Sequence, residues 1–112
     1  MLTVCNHIKS AGTGGKFVIL VSATDAGDGV LVLSDFTRDF QHRDIVARWE
    51  RGAGASVAAS GLRIAGGGWW KMEGDTLVLY GQSAAYGRFD PDWLRQRLTP
   101  GTVLQERTVE VR

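Results

Sequence analysis

Residues 66–87 of the chain read GGGWWKMEGDTLVLYGQSAAYG, and this stretch decides the fold. Glu73-Gly74-Asp75 is turn chemistry set between two runs, Trp69-Trp70-Lys71-Met72 and the TLVLY of residues 76–80, which predicts a β-hairpin. The second strand of that hairpin empties into Gly81-Gln82-Ser83-Ala84-Ala85-Tyr86-Gly87. Side chains this small leave main-chain N–H groups accessible, which is the layout an anion site needs.

Working outward, residues 16–21 (KFVILV) are apolar and β-branched, as a central strand buried on both faces is. Turn residues at 25–29 lead to a partner strand, Val30-Leu31-Val32-Leu33. Capping residues and acids at 34–39 precede Ile45, Val46 and Trp49, which recur at helical spacing until Gly52 is expected to stop the helix. Residues 55–65 alternate weakly, with Val57, Leu62 and Ile64 pointing inward. Asp90-Pro91 is a helix start, Asp as N-cap and Pro at the first helical position, and Trp93, Leu94 and Leu98 give that helix an apolar face. Pro100-Gly101 ends it, and residues 102–111 alternate like a last strand. The order β-β-α-β-β-β-α-β predicts a single-domain α/β sandwich over residues 1–112, a mixed but mostly antiparallel sheet of about six strands flanked by two short helices.

A chain of 112 residues has room for one core and no second domain. With 44% hydrophobic and 22% charged residues it reads as an ordinary soluble globular protein. A net charge of +1 argues against nucleic acid and anionic membranes as partners. Cys5 is the single cysteine, so no intrachain disulfide forms and a reducing compartment is expected. No basic segment followed by a long apolar run opens the chain, and the longest apolar stretch, residues 17–21, is too short to span a bilayer. A cytoplasmic monomer is the expectation.

The glycine triplet, the YGQSAAYG loop and the His42-Arg43-Asp44-Ile45 segment, a YGxSxAYG and an HxDI pattern, resemble in kind and order the phosphohistidine phosphatase family, also called the Janus or Ocnus family. The resemblance spans roughly residues 16–98. It implies a mixed sheet between two helices and a phosphatase that needs neither metal nor cofactor. By the same resemblance His42 is the catalytic residue, Lys16 contacts the phosphate through its ammonium, and the amides of Ser83 and Ala85 bind phosphate oxygens. Its substrate would be a phosphohistidine-containing protein or a small phosphoramidate. Animal members carry Tyr and Ala around the histidine where this chain has Gln41 and Arg43, and Arg-Ile where it has Trp69-Trp70.

Taken without the resemblance, the same residues have plain readings. His42 is one of two histidines, and a lone histidine is usually structural. Near a helix start, however, the amides of residues 42 and 43 lack intrahelical acceptors, and the positive end of the dipole would lower the imidazole pKa. Lys16 is otherwise an exposed charge at a strand end. Arg43 is either a solvated helix-face charge or a fork for phosphate. Trp69-Trp70 is either sheet packing or a flat wall beside the site. Residues 12–16 (GTGGK) lack phosphate-loop spacing and lead into a strand; no arginine stands six residues after Cys5, no Arg-His-Gly occurs, and His7 reads as incidental. Two scattered histidines and one cysteine give no zinc spacing. With the resemblance added, the predicted activity is hydrolysis of phosphorus–nitrogen bonds, with His42 as general base or nucleophile. The alternative is a phosphate- or phosphopeptide-binding module without turnover.

Overall fold

The apolar run around Phe17 becomes the middle of a seven-stranded sheet. A computed structural model describes residues 2–8, 14–35, 41–98, 103–104 and 107–112. Its elements are β1 (Leu2–His7), β2 (Gly14–Ser22), β3 (Gly29–Asp35), α1 (His42–Ala53), β4 (Leu62–Glu73), β5 (Thr76–Tyr80), α2 (Pro91–Arg97), β6 (Val103–Leu104) and β7 (Arg107–Val111). The strands lie in the order β1-β3-β2-β4-β5-β7-β6. β1 runs parallel to β3 and β7 parallel to β5, while the other neighbours are antiparallel. This is the expected mixed sheet with two helices.

Each helix covers one face, and the period-2 alternation of the strands divides the core accordingly. Val18, Leu20 and Val32 meet Ile45 and Val46 of α1 on one side. Phe17, Ile19 and Leu33 meet Trp70, Phe89 and Leu94 on the other. Because β2 is apolar at both parities, it is buried on both faces and sits between β3 and β4.

The helix ends follow from local chemistry. At α1 the carboxylate of Asp44 accepts the Gln41 N–H at 3.1 Å, so the helix opens at His42. It continues past the expected stop at Gly52 to Ala53, because Gly54 is the residue that takes the left-handed cap (φ 71°) and donates its N–H to Glu50 O. At α2 the Asp90 carboxylate accepts from Asp92 N and Trp93 N at 3.0 and 3.1 Å, with Pro91 leading the first turn.

Three segments differ from the sequence reading. Residues 55–65 are not a separate strand: a single 3-10 turn (Ala58–Ser60) precedes β4, which runs unbroken from Leu62 through the glycine triplet to Glu73. Gly66 allows this with φ 129° at the register shift opposite Ile19 and Leu20. β1, where the sequence reading placed no element and took His7 as incidental, is an edge strand with Leu2 and Val4 packed against one core and Cys5 against the other. The alternating C-terminal stretch forms β6 and β7 in place of one strand. Residues 12–13 of the GTGGK segment, the caps expected at 36–39, the Pro100-Gly101 stop, and residues 102, 105 and 106 lie outside the described residues.

Trp70 ties β4 to β3 across β2. It is 1% exposed, and its indole N–H donates to the Ser34 carbonyl at 2.7 Å. Trp70→Phe keeps an aromatic ring there but removes the donor to a buried carbonyl, at a cost of about 1–3 kcal/mol. A urea denaturation midpoint indistinguishable from wild type would contradict that role.

Candidate active site

Alternation along β4 sends Trp70 into the core and its neighbour Trp69 to the α1 face, so the tryptophan pair satisfies both readings at once. Across the sheet Trp69 stands opposite Lys16 on β2 and Tyr80 on β5. The first turn of α1 and the loop after β5 come down onto the same region. Together they enclose a cleft of about 470 Å³ lined by Lys16, Gln41, His42, Trp69, Gln82, Ala84 and Ala85. Lys16, His42 and the small-residue loop therefore do share one cleft. Among the described residues its lining carries a lysine and no carboxylate.

His42 is the first residue of α1 and only 6% exposed. Its Nε2 lies 2.8 Å from the carbonyl oxygen of Gly68. A carbonyl only accepts, so Nε2 must carry the proton and Nδ1 the lone pair. Nδ1 makes no hydrogen bond among the described residues. The imidazole rests above Gly67, where a Cβ would stand 3.0 Å from His42 Cδ2, 3.2 Å from Ser83 Cβ and 2.7 Å from Phe17 O. Glycine at 67 is thus the room in which the ring lies. Its neighbour Gly68 supplies the carbonyl that fixes the tautomer.

The His42 pKa is lowered from its ordinary 6.5, chiefly because burial disfavours the imidazolium. The Gly68 hydrogen bond opposes that shift, and the Lys16 charge adds to it. The direction is the one expected from the helix start, with burial and Lys16 as its identified causes.

The loop differs in detail from the expectation that Ser83 and Ala85 present their amides. Ser83 is 2% exposed, and its hydroxyl accepts from Ala85 N at 3.2 Å and Tyr86 N at 3.1 Å. Its own amide donates to Gly87 O at 3.1 Å. Both expected donors are therefore committed inside the loop, a serine turn that consumes the amides two and three residues on. Amides without an acceptor among the described residues include those of Gln82 and Ala84 in this loop, and of His42 and Arg43 in the first turn of α1. Sequence reasoning missed Gln82 and Ala84, although a serine inside a short glycine-bounded loop carries the signal that its hydroxyl accepts the amides two and three residues on.

Arg43 is exposed and its side chain does not line the cleft, so only its amide is placed near it. Trp69 is in contact with three parts of the site. Lys16 Nζ lies 5.0 Å from the Trp69 ring centroid, the His42 ring meets it edge-on at 6.1 Å, and its indole N–H donates to Gln82 O at 3.1 Å. Among the described residues no three His, Cys, Asp or Glu side chains come together as metal ligands would. No helix of the described chain is long and apolar enough to cross a membrane.

No protein-family model matches the sequence, and no curated protein matches it either.

The two histidines of the chain make the electrostatics directly measurable. In an NMR titration the His42 ring should titrate below 6.5, and Lys16→Ala should raise its pKa because a repelling charge is gone. Since the folded state binds this proton less tightly than the unfolded chain, the stability contribution of His42 is complete above about 6.5. It falls as pH drops through the folded value. Titration at or above 6.5 would contradict the burial argument.

Proposed function

We propose that the cleft hydrolyses phosphorus–nitrogen bonds, with phosphohistidine on a protein as the substrate class and no metal or cofactor in the reaction. The observation that carries this reading is the His42 ring. Its Nε2–H is spent on the Gly68 carbonyl, which leaves the Nδ1 lone pair at a helix N-terminus in a cleft that also holds Lys16. The family resemblance of the HxDI and YGxSxAYG segments points the same way.

A phosphoryl group in the cleft would meet donors from two directions. The amides of His42 and Arg43 carry the positive end of the α1 dipole, and those of Gln82 and Ala84 face it from the loop. Lys16 offsets the remaining charge. Donors fixed before the reaction stabilise charge on the equatorial oxygens of the transition state without reorganising. Ser83 serves this arrangement by holding the loop through its hydroxyl, and Ala85 by leaving the cleft wall open.

His42 Nδ1 then acts by one of two routes that use the same lone pair. As a base it takes a proton from water while the water oxygen bonds to phosphorus and the phosphorus–nitrogen bond to the leaving imidazole breaks. As a nucleophile it bonds to phosphorus while the substrate's phosphorus–nitrogen bond breaks and the substrate imidazole departs, taking a proton from solvent; water then cleaves the phosphorus–nitrogen bond to His42 in a second step and restores its lone pair. A depressed pKa keeps the ring neutral near pH 7, as both routes require. The single cysteine favours a reducing, cytoplasmic setting.

Phosphate release from phosphohistidine or phosphoramidate, measured with EDTA present, tests the reading. His42→Ala should reduce turnover by at least ~100-fold with the fold intact, the scale of a lost general base. Turnover within a few-fold of wild type, or loss on chelation with recovery on adding a divalent ion, would overturn it. Phosphate binding without any wild-type turnover would make the chain a phosphate-binding module instead.

A further inference from the structure

Trp69 belongs to none of the roles assigned above, yet it is the side chain through which the parts of the cleft meet. Lys16 comes from β2, His42 from α1 and Gln82 from the loop after β5. The Lys16 ammonium, the His42 ring and the main-chain carbonyl of Gln82 each touch or bond the Trp69 indole. Lys16 Nζ sits 5.0 Å from the ring centroid, the His42 ring is 6.1 Å away at 79°, and Gln82 O accepts the indole N–H at 3.1 Å. The register across the strands makes this possible, since Lys16 and Trp69 are direct partners on β2 and β4.

Each contact has a consequence for an anion. A lysine on a four-carbon stem is mobile, and the negative face of an indole restrains its ammonium where the ring stands. A loop carbonyl turned toward an anion would repel it; the indole N–H engages the Gln82 carbonyl at 3.1 Å and so pins the loop at the point between the Gln82 and Ala84 amides. The edge-on contact packs the indole beside the imidazole, which limits how far His42 can tilt on its Gly68 hydrogen bond. Gly81 completes the fit, because a Cβ there would come within 2.9 Å of Trp69 Cδ1.

We propose that Trp69 is the positioning residue of this site: it acts through Lys16 and the Gln82 carbonyl to hold the ammonium and the loop amides on either side of that carbonyl ready for a phosphate before one arrives. The inference rests on the reading of the cleft as a phosphate site. It separates two properties of the indole, its face for Lys16 and its N–H for Gln82. Trp69→Phe keeps the first and loses the second, whereas Trp69→Leu loses both.

The test is inorganic phosphate affinity, by calorimetry, for wild type, Lys16→Ala, Trp69→Phe, Trp69→Leu and the Lys16→Ala/Trp69→Leu double variant, each checked for its thermal midpoint. Trp69→Leu should weaken phosphate binding by about tenfold, and Trp69→Phe by clearly less, because a face for the ammonium survives. In the double variant the two losses should be less than additive, since the part of the tryptophan's effect that runs through Lys16 is already gone with the lysine and only the part that runs through Gln82 remains. The His42 pKa gives an independent reading: with Lys16 released it should rise in Trp69→Leu, and Trp69→Phe should restore much of the wild-type value. Wild type that binds phosphate and is weakened by Lys16→Ala, together with additive losses or an unaffected Trp69→Leu, would overturn the role of Trp69 alone. Wild type that binds no phosphate would overturn the cleft reading and this inference with it. Should Trp69→Leu fail to fold, a Trp69→Phe variant with phosphate affinity equal to wild type, and a Lys16→Ala/Trp69→Phe double variant with affinity equal to Lys16→Ala, would overturn the Gln82 half of the role. A greater loss in Trp69→Phe than in Lys16→Ala would overturn the lysine half.

Discussion

The hydrogen bond from His42 Nε2 to Gly68 O is the constraint on which the rest of the site depends. It joins the first residue of α1 to the middle of β4, and it exists only because residue 67 has no side chain to occupy the space of the ring. Three consequences follow from that one bond. The tautomer is set, the ring is buried against the sheet, and the start of the helix is held over the end of β2, where Lys16 stands. Burial then lowers the imidazole pKa, and the Lys16 charge lowers it further. A residue of unexceptional type thus acquires a particular protonation state from its place in the fold.

The sheet supplies the frame for this by keeping its two faces distinct. Odd-numbered positions of β2 pack toward α2 and even-numbered ones toward α1, so Lys16 shares a face with Val18 and Leu20 but lies at the strand end, beyond the apolar cover. Trp70 and Trp69 repeat the division on β4. One indole closes the core against the Ser34 carbonyl; the next braces the cleft. The polar end of the α1 face therefore needs no insertion or separate domain. It is what remains where the apolar positions on β2 give way to Lys16 and the first turn of α1 leaves its amides without acceptors.

Much of this was legible in the sequence, and the reasons are local. Asp90-Pro91 determines a helix start through groups two or three residues away, and the apolar run after Lys16 needs no partner to read as a buried strand. The signals for β1 are weaker: LTVCNH has little apolar alternation, and its pairing is parallel, to a strand more than twenty residues on. The glycine triplet suggested a break between two strands, but Gly66 absorbs the irregularity with a positive φ and β4 continues through it. At the site, composition located the loop correctly as a source of amides. It did not say which ones, because that depends on where the Ser83 hydroxyl turns, and the hydroxyl takes the amides of Ala85 and Tyr86 for itself. The two expectations for Arg43 were separable only by seeing its side chain exposed outside the cleft.

A crystal structure grown with inorganic phosphate is the most direct test of the account, because it reads the amides themselves. The account predicts an anion whose oxygens lie within about 3 Å of main-chain N–H groups from both segments. Those groups are His42 or Arg43 on the helix, and Gln82 or Ala84 in the loop. The amides of Ser83 and Ala85 should keep Gly87 O and the Ser83 hydroxyl as their acceptors. An anion bound by Ser83 and Ala85 after rearrangement of the loop, an anion held away from His42, or an empty cleft at saturating phosphate would contradict it.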